Sequence, residues 1–600
     1  MKPAVASRGL RVIDSTVARA LEATVMRDST AIVWFRSDFR IHDNPSLRAA
    51  IDSGRRIVPV YVWVPDCEGP FGAAGTAAEV WLAESLKDLS ASLQKLGSTL
   101  VIRKGNGPSG YLDELLSVAR AVNSETVYFN RRYEPNFEAI DVDVTQKLRT
   151  AGIEAFSSCG SLLYEPATVS LASDKWHGHW GTLMPFFKAC AAKGPPRRPL
   201  ESPKSINSPP SSELIPLSIS IEDTGLAAMP LTKGILNDWA APIRLAWSIG
   251  EDAAQRELQK YVREKLRFYE EKRSRTDVLF VSRLSPYLKW GQLSPQMLYW
   301  AVKDSPIDPA ELKTFSRRLF WRDLAYYQLY TFPNMTHISI RKHYEGHEWN
   351  SDDVAFDAWK SGTTGYPMVD AGMRELYSIG WIHQNVRMVC AAFLTEFLNQ
   401  HWRRGHDWFL HTLVDADVAI NAMMWQNAGR SGIDQWNFLS SPESGSQDPT
   451  GSYVRKWCPE LAGLSTKLIH KPWTATAKEL TAAGVVLGAG GNYPDRILTG
   501  LPAAREETKR KVIEMRKRSI QYNDANGYDL VKLPEGKYVR VFTKEEFRLD
   551  SKGDTAVIQR KHRSDGARGG GRGGRRGRGG TVTKGKQSDV KIITTSMSNE

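Results

Sequence analysis

The chain has 600 residues, a formal net charge of +13 and 41% hydrophobic residues, which is the composition of a soluble globular protein with several domains. No apolar run approaches the roughly 20 residues that a transmembrane helix needs, so a membrane span is not expected. Five dispersed cysteines predict free thiols in a reducing compartment and exclude a disulfide scaffold.

Residues 1–29 form an N-terminal extension that carries Arg8, Arg11, Arg19 and Arg27. Arginine-rich leaders with few acids are typical of organelle transit peptides, but three acidic residues in this segment weaken that interpretation. We therefore expect a nuclear or cytoplasmic protein, with a plastid or mitochondrion as the alternative.

The segment 30–165 alternates short apolar runs with helical patterns. AIVWF, IVPVYVWV (57–64) and TVYFN (126–130) are candidate buried strands, and residues 79–95 place leucines at helical spacing. Strands that alternate with helices predict an α/β domain with a parallel sheet.

A second, larger domain is predicted over 248–500. The preceding segment, 166–247, includes the run PPRRPLESPKSINSPPSS and is predicted to be a long surface linker. From residue 248 the apolar spacing becomes helical, most clearly over 384–400, and indicates an all-α domain.

Residues 501–550 are expected to form a C-terminal extension that starts with a charged helix. Residues 551–600 are predicted to be a disordered tail rich in Arg and Gly. Between Arg560 and Arg578 this tail carries eight Lys or Arg and one acid. It could bind RNA or DNA phosphates, or it could only aid solubility.

The stretch LVDADVAINAMMWQNAG (413–429) interrupts an apolar run with polar groups, whose burial costs free energy unless each finds a partner. In a helix, Asp417, Asn421 and Trp425 would share one face, four residues apart. Acid, amide and indole suit a flat heteroaromatic ligand with polar edges better than a metal ion, and no metal site is predicted. The alternative is that the acids cap a helix and Trp425 fills the core.

The turn SRLSPYLKWGQLSP (282–295) offers hydroxyl groups and an arginine just before a predicted helix. Hydroxyls and backbone N–H groups at a helix start are a natural seat for phosphate.

These segments resemble the photolyase/cryptochrome family. RLSPYLKWG, TGYPMVDAGMREL, GWIH and GSYVRKWCPEL occur in the order of its FAD-binding half, and WFRSDFRIHDNPSL matches the opening of its α/β domain. The resemblance covers residues 30–475. The pattern around DADVAINAMMWQN is most similar to plant and algal photolyase-like members.

The resemblance implies FAD in the helical domain. The positions matched to FAD contacts are Tyr269, Ser282, Leu284, Ser285, Arg322, Arg387, Asp415, Asp417 and Asn421. A second, antenna chromophore, either a folate or a deazaflavin, is also implied by the family. Its identity stays open because Phe137 stands where folate-binding members carry glutamate.

The resemblance also implies the electron chemistry. Asn421 falls opposite flavin N5, where photolyases carry asparagine and plant cryptochromes carry aspartate. As a neutral amide it can hydrogen-bond a protonated N5 without supplying a proton. Trp425, Trp402 and Trp349 match the three tryptophans that carry electrons to the flavin in this family, although each could instead be a core aromatic.

The matched lesion pocket departs from that of the repair enzymes. Arg318 stands where cyclobutane-dimer photolyases place glutamate, and Asn427 where they place a second tryptophan. Gln384 replaces one of the two histidines that (6-4) photolyases need, and Met388 replaces the other. The positions predicted to contact DNA or the lesion are Arg273, Arg318, Trp321, Gln384, Asn385, Met388 and Asn427.

From these departures we predict a blue-light-responsive FAD flavoprotein of cryptochrome type. It would be photoreduced through the tryptophan chain and would signal to an unidentified partner protein by conformational change. The first alternative is a light-driven DNA photolyase that repairs cyclobutane pyrimidine dimers, for which Trp321, Met388 and Arg273 are retained. The second is an interaction scaffold that merely retains flavin.

Overall fold

The computed structural model describes residues 29–172, 178–228, 231–232, 235–236, 238–435, 441–550 and 553–554. The predicted targeting segment up to residue 28 and the predicted nucleic-acid-binding tail from residue 555 lie outside the described residues. Within this part of the chain, no helix combines the length and the apolar character needed to cross a membrane.

A five-stranded parallel sheet with strand order β3-β2-β1-β4-β5 forms the first domain. The strands are β1 Thr30–Phe35, β2 Arg56–Trp63, β3 Val101–Lys104, β4 Ser124–Asn130 and β5 Glu154–Ser158. The helices around them are α1 Pro45–Asp52, α2 Ala77–Lys95, α3 Gly110–Ala121 and α4 Pro135–Thr150. The predicted α/β domain with a parallel sheet is confirmed.

The apolar run of β1 is explained by burial on both faces of the sheet. Every residue of β1 is buried. Val33 packs in the same core cluster as Leu86 of α2, whereas the adjacent Trp34 packs in a second cluster with Leu115 of α3. Because successive side chains of a strand point to opposite faces, a central parallel strand loses the polar alternation of an exposed one.

The segment 166–247 connects the two domains and contains short elements. They are α5 Leu183–Ala192, α6 Ser211–Leu214, α7 Ile221–Thr224, α8 Ala241–Ala246, and the two-residue strands β6 Leu231–Thr232 and β7 Ile235–Leu236. Phe187 of α5 packs edge-on against Phe320 of the helical domain, with ring centroids 4.9 Å apart. The connection is therefore docked onto the helical domain at this point.

The second domain is helical, as predicted. Its helices are α9 Glu251–Glu264, α10 Tyr269–Lys272, α11 Ser285–Lys289, α12 Pro295–Lys303, α13 Pro309–Thr331, α14 Asp353–Ser361, α15 Pro367–Ile379, α16 Gln384–Ala392, α17 Trp402–Thr412, α18 Val418–Ala428, α19 Ser452–Trp457 and α20 Ala477–Ala483. A π-helical turn over Phe393–Phe397 extends α16. The stretch that stood out in the sequence is thus split between the loop before α18 and α18 itself.

Residues 501–550 fold back onto the helical domain. They form helix α21 Leu501–Arg518 and an antiparallel hairpin of β8 Leu530–Lys532 and β9 Tyr538–Arg540. Val531 and Val539 of this hairpin are buried in the same cluster as Ala422 of α18. The C-terminal extension is therefore part of the folded body.

A buried ionic cluster fastens this extension. The Asp529 carboxylate pairs with the Arg516 guanidinium of α21 and with Arg341 of the helical domain, 2.5 Å away, and all three side chains are inaccessible to solvent. His343 Nε2 lies 3.1 Å from the same carboxylate. Burial alone would raise the pKa of Asp529, but the neighbouring cations outweigh it and hold that pKa well below its usual range.

Asp529→Asn is expected to destabilise the protein by about 3–5 kcal/mol at pH 7, because it leaves buried cations without their counter-charge. Thermal unfolding should show a lower midpoint, and limited proteolysis should release residues 501–550. Since the pKa of Asp529 is depressed in the folded state, the stabilisation should decline as pH falls below about 4, near the unfolded value.

The matched control is Glu507→Gln, which removes an ion pair with Arg510 whose side chains are each about half exposed. Exposed pairs contribute roughly 0–1 kcal/mol, so this variant should unfold almost as the parent does. Equal losses in the two variants would contradict the role given to the buried cluster.

Candidate functional site

A cavity of about 360 Å³ lies among the helices of the second domain. Of the residues predicted for the cofactor, the electron chain and the lesion, those that line it are Tyr269, Ser282, Ser285, Arg318, Trp321, Arg322, Gln384, Arg387, Met388, Asp415, Asp417, Asn421 and Trp425. Its volume falls in the range of about 300–1,000 Å³ that small-molecule sites occupy. One cavity therefore unites most of the residues singled out in the sequence.

One wall of the cavity carries two buried carboxylates, each paired with an arginine. The Asp415 carboxylate lies 2.9 Å from Arg387 Nη2 of α16, and that of Asp417 lies 3.4 Å from Arg322 Nε of α13. Asp417 Oδ1 also caps α18 by accepting hydrogen bonds from two backbone N–H groups, each at 3.1 Å. The wall is thereby polar without carrying uncompensated charge.

Asn421 occupies the same wall, one helical turn after Asp417. It is 8% exposed, and its Nδ2 donates to the backbone carbonyl of His406 at 2.9 Å. This bond uses one of the two N–H groups of the amide, which leaves the carbonyl oxygen Oδ1 and the second N–H for other partners. The wall thus presents neutral and anionic acceptors together with arginine N–H donors.

Another part of the cavity lining is cationic and carries hydroxyl groups. Ser282 and Ser285 flank Arg283, whose backbone has a positive φ of 53° and which also lines the cavity. Nε and Nη2 of Arg283 are buried without a hydrogen-bond partner, and the guanidinium lies 4.0 Å from the ring centroid of Trp247. Burial lowers the pKa of Arg283, which is the cost of holding this cation without an anion.

The three tryptophans run from the cavity towards the surface. Trp425 lines the cavity and is 2% exposed, Trp402 is fully buried, and Trp349 is partly exposed. The ring of His401 lies 5.6 Å from that of Trp402 and 5.2 Å from that of Trp349. The imidazole of His401 thus lies between Trp402 and Trp349, the last two members of the predicted electron chain.

Two glycines allow Trp425 and Trp402 to pack closely against neighbouring backbone. A Cβ on Gly405 of α17 would collide with the indole of Trp425, and a Cβ on Gly429 would lie 2.8 Å from Cβ of Trp402. Helices α17 and α18 can therefore approach each other closely. Trp425 of α18 lies against the backbone at Gly405, and Trp402 of α17 lies against the backbone at Gly429.

The mouth of the cavity is marked by lining residues that are also accessible to solvent. Arg318, Trp321 and Met388 are partly exposed, and Gln384 is exposed. Burial lowers the pKa of Arg318; Tyr269 opposes this shift, and the charge of Arg273 adds a smaller lowering effect. The mouth consequently joins a stacking surface to a cationic one.

Four other residues predicted for the cofactor or the lesion do not line the cavity. Leu284 is buried in the main core, and Arg273 lies beside Glu270 at 3.8 Å. Asn385 Nδ2 donates to the Ser274 carbonyl at 3.4 Å. Asn427 is 2% exposed, and its Oδ1 accepts a hydrogen bond from the Asp434 N–H at 3.2 Å.

Three residues that line the cavity or lie next to it are absent from the predicted site residues. Arg283 stands between two predicted FAD contacts, so its charge in a phosphate-seat turn was the available signal. Tyr326 and Glu134 could not be linked to the site from the sequence. Tyr326 has the spacing of a residue on the apolar face of α13, and Glu134 lies 192 positions before it, in the first domain.

Further titratable groups surround the site. Asp323 lines the cavity, accepts a hydrogen bond from the Tyr164 N–H at 2.8 Å, and has its pKa raised to about 7 by burial. Burial lowers the pKa of His383 to about 4, so this imidazole is neutral at pH 7. Among the described residues, no group of three or more His, Cys, Asp or Glu is arranged to hold a metal ion.

The donor set fits FAD. The unpartnered guanidinium of Arg283 and the neighbouring serine hydroxyls would hold the phosphates, because buried N–H donors of a cation are best satisfied by an anion. Arg387, Asp415, Asp417 and Asn421 would meet the polar edge of the ring system. Trp425 would lie beside it as the first member of the tryptophan chain.

Comparison with known proteins identifies the same cofactor and fold. Residues 31–204 match the family model of DNA photolyase, and residues 315–514 match that of the FAD binding domain of DNA photolyase. The chain is 37% identical over 475 residues to a deoxyribodipyrimidine photo-lyase of Agrobacterium fabrum, covering 78% of this chain and 95% of that one. It is 32% identical over 515 residues to cryptochrome-2 of Arabidopsis thaliana, covering 83% and 81%.

Among solved structures, a bacterial class III photolyase from Agrobacterium tumefaciens superimposes with a TM-score of 0.74 at 36% identity. The match covers 82% of this chain and 98% of that structure. The fold and the arrangement of two domains are therefore common to both chains.

Arg283→Met is expected to raise the Kd for FAD about 10- to 150-fold, because a charge-assisted hydrogen bond contributes roughly 1.5–3 kcal/mol. Isothermal titration of FAD-depleted protein with FAD would measure the change. Arg263→Met is the control, since the side chain of Arg263 is 73% exposed in a surface pair with Glu264. An unchanged Kd in Arg283→Met would contradict the phosphate assignment.

Proposed function

This chain belongs to the DNA photolyase/cryptochrome family, and we propose that it is a light-driven DNA photolyase that repairs cyclobutane pyrimidine dimers. The sequence analysis favoured a cryptochrome-type sensor and held repair as the alternative. The deoxyribodipyrimidine photo-lyase and the class III photolyase, both matched over almost their whole length, support the repair enzyme instead.

The observation that carries this proposal is the shared cavity. Trp321 and Met388, at the partly exposed mouth, line the same cavity as Asp415 and Asn421, at its buried wall. A nucleotide turned out of a duplex could therefore enter at the mouth and come to lie against the cofactor.

Each residue of the site has a physical task in this proposal. FAD, when bound and excited by light, supplies one-electron chemistry. Trp321 offers a stacking face for an extruded base, worth roughly 1–3 kcal/mol per base. The Arg387–Asp415 pair holds the cofactor edge in one orientation, and Asn421 meets it without a charge. The tryptophan chain carries electrons inward from the surface.

Arg318 gives the mouth a different character from that of the family's glutamate. Replacing a carboxylate by a guanidinium changes the local charge by two, so Arg318 cannot accept hydrogen bonds from bases as a carboxylate does. A guanidinium in this place is suited to a DNA phosphate, which it can contact through two parallel N–H groups. We propose that Arg318 positions the damaged strand by its backbone.

The test is a repair assay on the FAD-loaded, chemically reduced protein under blue light. Single-stranded and double-stranded oligonucleotides that carry one thymine dimer are incubated with it, and restored thymines are counted by chromatography. We expect light-dependent repair of at least one substrate, lost in Trp321→Ala and absent in the dark. Protein with full FAD content that restores neither substrate would refute the proposal.

A blue-light sensor is the second candidate, and one contact favours it. Lys544 of the C-terminal extension lies 3.9 Å from Glu396, which pairs at 2.9 Å with Arg430, and the Arg430 guanidinium lies 5.6 Å from the ring centroid of Trp349. A positive charge formed on Trp349 by its oxidation would thus act on the Arg430–Glu396 pair, which lies next to Lys544 of the extension. Light-dependent proteolysis of residues 501–550 without repair would favour this function. A flavin-retaining scaffold would show neither response and no photoreduction.

Trp402→Phe should slow flavin photoreduction by a thiol reductant at least about tenfold, because phenylalanine is much harder to oxidise and Trp402 is the buried middle of the chain. The rate is followed by flavin absorbance under constant blue light. Trp300→Phe is the control, because Trp300 lies on α12 and stacks on Arg198 outside the cavity. Equal rates in Trp402→Phe and the parent would exclude this electron route.

A further inference from the structure

Tyr326 bridges two buried carboxylates that belong to different domains. Its hydroxyl oxygen lies 3.2 Å from Asp417 Oδ2 in the cavity wall and 3.2 Å from Oε1 of Glu134, which directly precedes α4. Asp417 is 5% exposed, Tyr326 3% and Glu134 6%. The three groups thus form a continuous polar chain from the cavity to the first domain.

The number of protons in this chain decides how many of its contacts are hydrogen bonds. A phenol has one proton to donate, and ionised carboxylates only accept. With both acids ionised, the Tyr326 hydroxyl can satisfy one of them, and the other contact brings two bare oxygens together at 3.2 Å. One additional proton on either acid turns both contacts into hydrogen bonds. The three groups can therefore hold one proton more than they do when both acids are ionised.

Arginines lie near both ends of this chain of three groups. Arg322 lies 3.4 Å from the Asp417 carboxylate, and its guanidinium lies 5.1 Å from the ring centroid of Tyr326. Burial lowers the pKa of Arg322, but Tyr326, Asp417, Asp323 and Glu134 together raise it above its ordinary value. On the other side, burial lowers the pKa of Arg132, but Glu68, Tyr111, Asp141 and Glu134 together raise it above its ordinary value.

We propose that Glu134, Tyr326 and Asp417 form a proton-uptake chain that compensates charge added in the cavity. Reduction of the bound cofactor adds negative charge beside Asp417, and a buried negative charge attracts a proton. Glu134 is the entry group and Asp417 the terminal one. This chain requires a flavin in the cavity but does not depend on whether the protein repairs DNA.

The proposed transfer consists of two coupled proton movements through the Tyr326 hydroxyl. A proton from water binds Oε1 of Glu134, and that O–H bond breaks as a new one forms at the Tyr326 hydroxyl oxygen. The original Tyr326 proton moves at the same time to Oδ2 of Asp417. The electron comes from an external one-electron donor that carries no proton, such as ferrocyanide, which is oxidised to ferricyanide. The net change is one electron added to the bound cofactor and one proton moved from solvent to the cavity wall.

Tyr326 acts as a relay between the two acids: its hydroxyl accepts a proton from Glu134 and donates its own proton to Asp417. Because burial raises its pKa well above the ordinary value, it does not ionise and can act only by exchanging one proton for another. Phenylalanine at this position keeps the ring and its packing but removes the exchange. Glutamine at position 134 keeps a hydrogen-bonding side chain that cannot take up and release a proton as a carboxylate does.

The test measures proton uptake during photoreduction of the FAD-loaded full chain. A pH-indicator dye in weakly buffered solution reports protons taken up after a blue-light pulse with ferrocyanide as the electron donor, because its oxidation releases no proton. Infrared difference spectra report a protonated carboxylic acid. We expect uptake and a carboxylic-acid band in the parent. Tyr326→Phe and Glu134→Gln should slow uptake roughly 10²-fold or more, the range of a positioned proton-transfer group, and should lose the band.

Tyr327→Phe is the matched control, because Tyr327 is the adjacent buried tyrosine of α13 and its ring packs 5.5 Å from that of Phe186 instead. It should take up protons at the parental rate. All rates are compared per bound flavin, so a variant that binds less FAD still yields a result. Parental uptake rates in both Tyr326→Phe and Glu134→Gln would overturn the proposal, even if DNA repair were lost.

Discussion

The helical domain depends on the neutralisation of two buried carboxylates. Asp415 and Asp417 are held by Arg387 and Arg322, which come from α16 and α13, while the acids themselves immediately precede α18. An uncompensated buried charge would cost several kcal/mol, so these three helices cannot separate without a large penalty. The cavity is the space that remains between helices fixed in this way, and its polar wall is a consequence of the same pairs.

The architecture could be predicted from sequence because its signals are local. Continuous apolar runs such as that of β1 occur where parallel strands are covered on both faces, and the period of the apolar residues changes where the helical domain begins. The polar interruption around Asp417 also pointed to a ligand, because no core tolerates such groups without partners. The family resemblance then gave each polar residue an expected position, and most of those positions line one cavity.

What could not be predicted depends on contacts between distant parts of the chain. Asp529 and Arg341 are 188 residues apart, and no periodic pattern links them. Asn427 was assigned to the lesion pocket because it matches a tryptophan of the repair enzymes, but it does not line the cavity that contains Trp425. Its amide instead stabilises the turn after α18. Glu134 reaches Tyr326 only because the first domain docks beside α13, which no local feature of either segment reveals.

The two close-packed glycines have a consequence for how such electron routes are recognised. Gly405 and Gly429 have no side chain to oxidise, yet they decide how near the indoles of Trp425 and Trp402 can come to the neighbouring helix. A related chain could keep all three tryptophans and lose rapid conduction through one added methyl group. A comparison of aromatic residues alone is therefore not enough to recognise the proposed electron-transfer route. The positions at which only glycine leaves room for the indoles have to be compared as well.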